Sequence, residues 1–189
     1  MTMQLTQPIA KLYARRSDFA PDDVLRAFHR FIQEDRFRAL MPIDVIDYRH
    51  VAVGPMMLLV THDAYVGIER EGGRVGHFYR KRRGSPEPAS AAFAGAAAWA
   101  LRTGRALEEA LSGTLALEPG ELVLGCDDRL RAPNDAATFA ALTPALETVG
   151  HALFDAPSLG HVGEPKGGFR ASVRGAATSL DELLARLEG

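Results

Sequence analysis

The chain has 189 residues, of which 47% are hydrophobic and 24% are charged, and its formal net charge is -2. These values are ordinary for a globular protein of one domain with a sizeable core. The near-neutral charge excludes a global field that would attract nucleic acid or an anionic membrane. One cysteine, Cys126, excludes an intrachain disulfide and a cysteine-based zinc site. A reducing, cytoplasmic setting is therefore predicted.

No targeting or membrane segment is predicted. Residues 1–16 contain no long apolar core and no cleavage pattern. No apolar run approaches the length of a membrane span. The abundance of alanine, arginine and glycine is typical of a GC-rich bacterial genome.

Strands dominate the first half of the chain. A first strand is predicted over residues 9–15, and Pro21 begins an amphipathic helix with Asp22 and Asp23 in its first turn. Four further strands are predicted over residues 43–48, 56–61, 65–70 and 75–81. The pair Gly72-Gly73 predicts a tight turn between the last two.

The second half alternates helices with short strands. A long alanine-rich helix is predicted over residues 89–111, followed by a strand over 121–126 and a short returning strand over 130–132. Asn134 or Asp135 caps the next helix, in which Pro144 predicts a kink or two abutting helices, with Thr143 capping the second. A hairpin is predicted from residues 158–164 and 169–174 around a turn at 165–168. A capping box at 179–182 opens a last helix through residue 187.

This order predicts an α+β fold, with helices packed on a mainly antiparallel sheet. One domain is expected over residues 1–189, with its sheet segment at 43–83 and a terminal hairpin and helix at 158–188. Both faces of the strands over residues 56–81 are largely apolar. We therefore expect helices to cover at least one face, and the pattern favours both.

The turn positions also predict a register. Glu71 is expected opposite Arg74, Ile68 opposite His77, Tyr65 opposite Arg80, and His62 opposite Tyr65. The first candidate site is the resulting row of His62, Tyr65 and Arg80. It could bind an anion or an acidic group at the rim of the sheet. A cross-strand polar row that only stabilises the sheet is the favoured interpretation.

The second candidate site is Asp47, Tyr48 and His50 at the end of a strand. Such residues can serve acid–base chemistry, but they can equally cap a loop, and loop capping is favoured because no nucleophile accompanies them. A hairpin of residues 43–48 with 56–61 would separate Tyr48 from His62 by about 16 Å. Asp47, His50, His62 and Asp63 would then not form one site.

Other polar features favour structural roles. Arg80 to Arg83 form a basic run that could bind nucleic acid, but on a strand its side chains alternate between faces, so a charged edge is favoured. Asp127 and Asp128 could be metal ligands, although a solvated turn is favoured. The sequence contains no common nucleotide-binding, hydrolase or zinc-protease motif, and no metal or cofactor is predicted.

A resemblance can be based on residues 28–33, 43–51 and 54–55 and on the segment LLVTHDAYVGIE, with further matches at 128–130, 132–134 and Phe139. On these residues the chain resembles an uncharacterised bacterial protein family. The resemblance covers most of the chain. It implies a shared single-domain fold and transfers no catalytic residue.

Three functions follow as hypotheses. The leading one is a non-enzymatic cytoplasmic protein that acts by binding, as a homodimer or as an accessory subunit of another protein. The alternative is a small-ligand-binding protein or an enzyme, with a polar pocket at a sheet end formed by one of the two candidate sites. Nucleic-acid binding through Arg80 to Arg83 comes third.

Overall fold

The computed structural model describes residues 3–51, 54–163 and 167–189. Its elements, in chain order, are β1 (Gln4–Leu5), β2 (Pro8–Ser17), α1 (Pro21–Gln33), a 3₁₀ helix (Arg38–Leu40), β3 (Pro42–Asp47), β4 (Gly54–Thr61), β5 (Ala64–Glu71), β6 (Arg74–Lys81), β7 (Glu87–Pro88), α2 (Ala89–Ala110), β8 (Leu115–Cys126), α3 (Ala136–Leu153), β9 (Ser158–His161), β10 (Phe169–Arg174) and α4 (Leu180–Glu188).

Eight strands form one antiparallel sheet in the order β3-β4-β5-β6-β2-β8-β10-β9. The first long strand, β2, therefore lies in the middle of the sheet, between β6 and β8. The short strands β1 and β7 pair separately. The predicted α+β fold is confirmed, with four helices packed on this sheet in one domain. None of the described helices is long and apolar enough to cross a membrane.

The helix starts follow from local capping chemistry. Pro21 occupies the first position of α1, and the Asp23 carboxylate accepts a hydrogen bond from the Ala20 amide. Asp135 caps α3 by accepting from the Thr138 amide at 2.7 Å. The predicted cap of the last helix is confirmed, because Ser179 Oγ accepts from the Glu182 amide.

Two predictions about the second half are wrong. Residues 130–132 form a turn and not a strand, because the amides of Arg131 and Ala132 both fold back onto the Asp128 carbonyl. The second error is the alternative of two abutting helices, because α3 continues through Pro144 as one helix. The alternative of a kink at Pro144 stays a prediction. Thr143 Oγ1 donates to the Phe139 carbonyl and caps nothing. Packing keeps the helix whole, since its buried residues keep one helical phase on both sides of the proline: Leu142, Leu146, Val149 and Leu153.

The hairpins show the predicted register with one exception. The confirmed pairs are Glu71 with Arg74, Ile68 with His77, and Tyr65 with Arg80. The predicted turn at 165–168 lies partly outside the described residues, but β9 and β10 pair antiparallel as expected.

His62 does not lie opposite Tyr65. Val60 takes that place, because the turn consists of His62 and Asp63. Thr61 stabilises this turn, since its hydroxyl both donates to the Ala64 carbonyl and accepts from the Ala64 amide, each at 3.0 Å. The predicted row of His62, Tyr65 and Arg80 is therefore wrong at its first member.

The two faces of the sheet differ. The residues Met57, Leu59, Val66, Ile68 and Leu122 belong to the main core that the helices cover. We call the other side the open face; its apolar centre is Ile9, Leu58 and Phe78, packed against Ile46, Tyr48 and Tyr65. No described helix residue belongs to this second cluster. One covered face was expected and is found, but the favoured coverage of both faces by helices is wrong for the described residues.

On the open face, long side chains from neighbouring strands lie over glycine positions. A Cβ at Gly125 would lie 2.2 Å from the Phe169 carbonyl oxygen and 2.7 Å from Arg170 Cδ, and one at Gly76 would lie 3.3 Å from Lys11 Cδ. The aliphatic stems of Arg170 and Lys11 thus lie against the backbone at Gly125 and Gly76, where no side chain intervenes. Phe78 is fully buried in the cluster with Ile9 and Leu58, although no described helix residue belongs to that cluster.

Candidate functional site

A cavity of about 320 Å³ lies on the open face. The described residues that line it are Tyr48, Val51, Pro55, Leu58, Tyr65, Phe78 and Arg80. We call it the open-face cavity. It takes Tyr48 from one predicted site and Tyr65 and Arg80 from the other. The two sites that the sequence offered as alternatives are therefore brought together in part.

The floor of the cavity depends on Gly67. This residue lies between Leu58 on β4 and Phe78 on β6 in one row of the antiparallel sheet. A Cβ here would lie 2.8 Å from Leu58 Cδ2, 2.9 Å from Phe78 Cε1 and 2.7 Å from the Met57 carbonyl oxygen. The two apolar side chains close over the glycine, and together they form a smooth apolar base.

Arg80 supplies the positive charge at one end. Its Nε is buried and lies 2.8 Å from Asp127 Oδ2, without the geometry of a hydrogen bond. Its guanidinium carbon lies 5.3 Å from the centroid of the Phe78 ring. Within the described part of the chain, its two terminal amino groups donate no hydrogen bond. They remain as donors toward the cavity.

Asp127 contacts two arginines, Arg80 and Arg170. Its second carboxylate oxygen accepts from Arg170, which also donates to the Cys126 and Phe169 carbonyls. Two guanidinium groups thus share one carboxylate, and the Glu71 carboxylate also interacts electrostatically with both arginines. The interpretation of Asp127 as part of a solvated turn is wrong for its side chain, which is only 22% exposed.

Tyr65 contributes a phenol that can donate. Its oxygen accepts a hydrogen bond from Arg82 Nη1 at 3.0 Å, and Arg82 Nη2 donates to the His62 carbonyl at 3.2 Å. The phenol proton is therefore not needed for this contact. Arg82 fixes the ring from behind, with its guanidinium carbon 5.0 Å from the ring centroid.

Tyr48 closes the other end of the cavity. Its amide donates to the Met56 carbonyl at 3.0 Å, as a β3–β4 hairpin requires, and its carbonyl accepts from the Val51 amide. Its ring centroid lies 6.3 Å from that of the exposed His50. The predicted separation of Tyr48 from His62 along the hairpin is confirmed, since the His62 amide instead contacts the Leu40 and Met41 carbonyls.

Three predicted site residues do not line the cavity. Asp47 accepts from the backbone amide and Nε of Arg49 at 2.9 and 2.7 Å, and these hydrogen bonds lower the pKa of its carboxyl. Arg49 also donates to Asp22 on α1, so Asp47 has the loop-capping role. His62 Nδ1 lies 2.9 Å from Asp63 Oδ1 in an exposed turn. His50 lies beside Tyr48, outside the lining.

The basic run is divided among several partners. Arg80 approaches Asp127, Lys81 Nζ contacts Glu87 Oε1 at 2.6 Å, and Arg82 contacts Tyr65. These contacts give the run no common surface.

Sequence reasoning missed the apolar lining of the cavity. The available signal was alternation along the predicted strands, which puts Leu58 and Phe78 on the same face as Tyr65 and Arg80. Pro55 and Val51 gave none, because their place depends on how the β3–β4 connection returns. Nor does the sequence point to Arg170, which reaches Asp127 from the far hairpin.

The described residues contain no group of three or more histidine, cysteine or acidic side chains placed to hold a metal ion. Comparison of the chain with protein-family models, with curated proteins and with solved structures found no match. The resemblance based on residues 28–33, 43–51 and the LLVTHDAYVGIE segment therefore stays a prediction.

Replacing Gly67 by alanine is expected to destabilise the protein by about 1–3 kcal/mol, because Met57, Leu58 and Phe78 must move apart. Urea denaturation measures the loss. Gly95 on α2 is the matched control, since a Cβ there meets nothing within 4 Å. Gly95→Ala should leave stability unchanged or raise it by up to about 1 kcal/mol. Equal effects of the two substitutions would contradict the close packing over Gly67.

Proposed function

We propose that this protein acts by binding rather than by catalysis, and that it holds a small organic anion with an apolar or aromatic body in the open-face cavity. One observation carries the proposal. The Arg80 guanidinium borders a cavity whose remaining lining is apolar or phenolic, and its terminal amino groups donate to no described residue. Apolar walls with a few convergent polar groups are the usual form of a small-molecule site.

The cavity suits a compact ligand. Its volume of about 320 Å³ lies at the lower end of the roughly 300–1,000 Å³ typical of such sites. Tyr48 and Tyr65 offer two partly exposed aromatic rings and Pro55 adds an apolar surface, above the buried Phe78 and Leu58. A single planar ring or a short alkyl chain would bury its apolar area against them.

The charge of the ligand follows from Arg80. A guanidinium presents parallel N–H donors that match a carboxylate, and such charge-assisted pairs are stronger than neutral hydrogen bonds. The contact of Nε with Asp127 orients the group and leaves Nη1 and Nη2 for the ligand. The Tyr65 hydroxyl can add a third donor.

The lining also supports binding over chemistry. Among the described residues of the open-face cavity there is no serine, cysteine, histidine, lysine, aspartate or glutamate. Apart from the phenols of Tyr48 and Tyr65, the described lining therefore offers none of the usual nucleophiles or proton carriers. A homodimer, an accessory role and a cytoplasmic location remain predictions.

Arg80→Gln is expected to weaken the binding of benzoate about tenfold or more, because it removes a charged hydrogen-bonding partner. Saturation-transfer NMR with benzoate, phenylacetate and hexanoate measures the affinity. Arg174→Gln is the matched control, since Arg174 also pairs with a carboxylate, that of Glu121, but contacts neither Asp127 nor the cavity. It should leave the affinity within about twofold.

A charge-free probe sharpens the test. Benzamide has nearly the shape of benzoate without its charge, so it should bind the wild-type protein much more weakly. The proposal fails if benzamide binds as tightly as benzoate, if both arginine variants weaken binding equally, or if none of the three acids binds. Native mass spectrometry of protein purified from its host then identifies the natural ligand.

A further inference from the structure

A second groove lies on the helical side of the molecule, away from the open face. Its volume is about 500 Å³. The connection between α1 and β3 forms one wall with Arg36 and Arg38, and α2 forms the other with Arg102 and Arg105. Trp99 lies between them and Leu184 of α4 adds to the lining. We call it the Trp99 groove.

Residues at helical spacing on α2 form one wall of the Trp99 groove. Trp99, Arg102 and Ala106 follow at intervals of three and four residues, so they lie along one stripe of α2. The Trp99 ring stacks on Tyr79 below it, with centroids 6.4 Å apart and an interplanar angle of 21°. The Arg102 guanidinium carbon lies 5.1 Å from the Trp99 ring centroid. The indole is thus held from two sides and remains half-buried.

The charged side chains in the described lining of the groove are all positive. Its described lining contains four arginines and neither aspartate nor glutamate. The carboxylates that pair with these arginines lie outside that lining: Glu109 with Arg36 and Arg105, Asp35 with Arg38, Asp181 with Arg105, and Glu188 with Arg102.

These pairs orient the guanidinium groups but do not saturate them. Arg36 uses only Nη2, and Arg102 uses Nε and Nη2 on a single Glu188 oxygen. Arg38 is 89% exposed, with its Nε 3.7 Å from Asp35. Several N–H donors of Arg36, Arg38 and Arg102 therefore take part in no hydrogen bond to described residues, whereas all three nitrogens of Arg105 contact carboxylates.

We propose that the Trp99 groove is the docking site for a short acidic segment of a partner protein. The segment would place an apolar or aromatic side chain against Trp99 and its carboxylates against Arg38 and Arg102. Tryptophan and arginine are the residues that most often dominate binding at protein interfaces. This inference is independent of the open-face cavity, because no residue is shared between the two linings.

A peptide fits the groove better than a nucleic acid. Glu109, Asp181 and Glu188 stand around its rim, so a continuous phosphate backbone that passes beyond the groove meets like charge. A short motif with charges at fixed positions avoids that repulsion.

Trp99 is the only tryptophan of the chain, so its fluorescence reports this groove without interference. The probe is the capped hexapeptide acetyl-EEFLEE-amide, and the charge-reversed acetyl-KKFLKK-amide is its control. The acidic peptide should change Trp99 emission saturably, with an affinity that falls as salt is added. The basic peptide should give no saturable change.

Variants locate the site. Arg38→Gln and Arg102→Gln are each expected to weaken binding of the acidic peptide about three- to fivefold, and the double variant about tenfold or more. Arg131→Gln is the matched control, because Arg131, like Arg38, is exposed and pairs with an aspartate three residues away. It should bind like the wild type, and thermal melting confirms that all variants fold.

Three outcomes would overturn the proposal. One is equal binding of the acidic and basic peptides. Another is a double variant that binds the acidic peptide like the wild type. The third is a six-nucleotide oligothymidylate that binds more tightly than the peptide and displaces it, which would assign the groove to nucleic acid.

Discussion

Replacing Lys11 by methionine is expected to lower the free energy of unfolding by about 3–5 kcal/mol. Lys11 lies on the open face and is only 5% exposed. Its ammonium contacts Glu69, whose side chain is 8% exposed, and Glu71, which is largely exposed. Without the ammonium, the Glu69 carboxylate stays buried with no countercharge, and this desolvated charge is the main source of the loss. Urea denaturation near neutral pH measures it.

The carboxylates that contact Lys11 keep its amine protonated. Burial alone lowers the pKa of this amine, but attraction by Glu69 and hydrogen bonds to Glu69 and Glu71 outweigh burial and raise it above 10.5. The hydrogen bond from Lys11 in turn lowers the pKa of Glu71. Lys11 and Glu71 therefore remain charged at neutral pH.

A second lysine serves as the matched control. Lys81 pairs with Glu87, but both side chains are partly exposed, so Lys81→Met should cost less than about 1 kcal/mol. Adding Glu69→Gln to Lys11→Met should recover part of the loss, because it removes the stranded charge. Equal losses at Lys11 and Lys81 would show that burial of the pair does not decide its contribution.

Acidification is expected to remove roughly 3 kcal/mol of stability through one residue, His77. His77 is fully buried beneath α2, where its Nε2 lies 2.9 Å from Thr103 Oγ1. Backbone contacts with Ala100 and Gly67 favour the charged ring, but burial outweighs them. Burial lowers the pKa of the imidazole from 6.5 to about 4. The folded state therefore holds this ring neutral at a pH where an unfolded chain protonates it.

The direction of the pH effect follows from proton counting. Between the two pKa values the unfolded chain binds more protons, so this contribution is fully present above pH 6.5 and is lost as pH falls toward 4. His77→Gln should flatten the pH dependence of stability in that window, because glutamine does not titrate. Urea denaturation at several pH values checks this.

His29 is the control for the acid effect. It lies exposed on α1, so His29→Gln should keep the wild-type slope between pH 6.5 and 4. Carboxylates also lose their native interactions in acid, and both variants share that part of the slope. If His77→Gln and His29→Gln show the same pH dependence, the buried imidazole does not titrate as described.

Local signals predicted the hairpins well. The pair Gly72-Gly73 fixes the β5–β6 turn, and from it the register places Tyr65 opposite Arg80. The same counting failed by one residue at the β4–β5 turn. There the Thr61 hydroxyl selects which two residues form the turn, and hydrophobic alternation does not reveal such a side-chain contact.

The cavity could be predicted only in part, because it depends on contacts between distant segments. Alternation along the predicted strands places Tyr65, Arg80 and Phe78 on one face. Tyr48, just after β3, is separated from Tyr65 by one strand and from Arg80 by two. Asp127 looks like a turn residue in its own neighbourhood. Its partner Arg170 lies in the terminal hairpin, and only the folded sheet places them together. Nothing local marks such a pair.

The central place of β2 sets an order of events during synthesis. Strands β3 to β6 pair with their neighbours along the chain and can form by local closure. Strand β2 cannot pair until distant residues are made, because Ile9 lies opposite residue 80 on one side and residue 125 on the other. Until then β2 is an apolar segment with both edges free, the kind that recruits other unfinished chains. Lys11, Arg15 and Arg16 place like charges along it and oppose such association. The lysine that the finished sheet buries thus protects the nascent chain first.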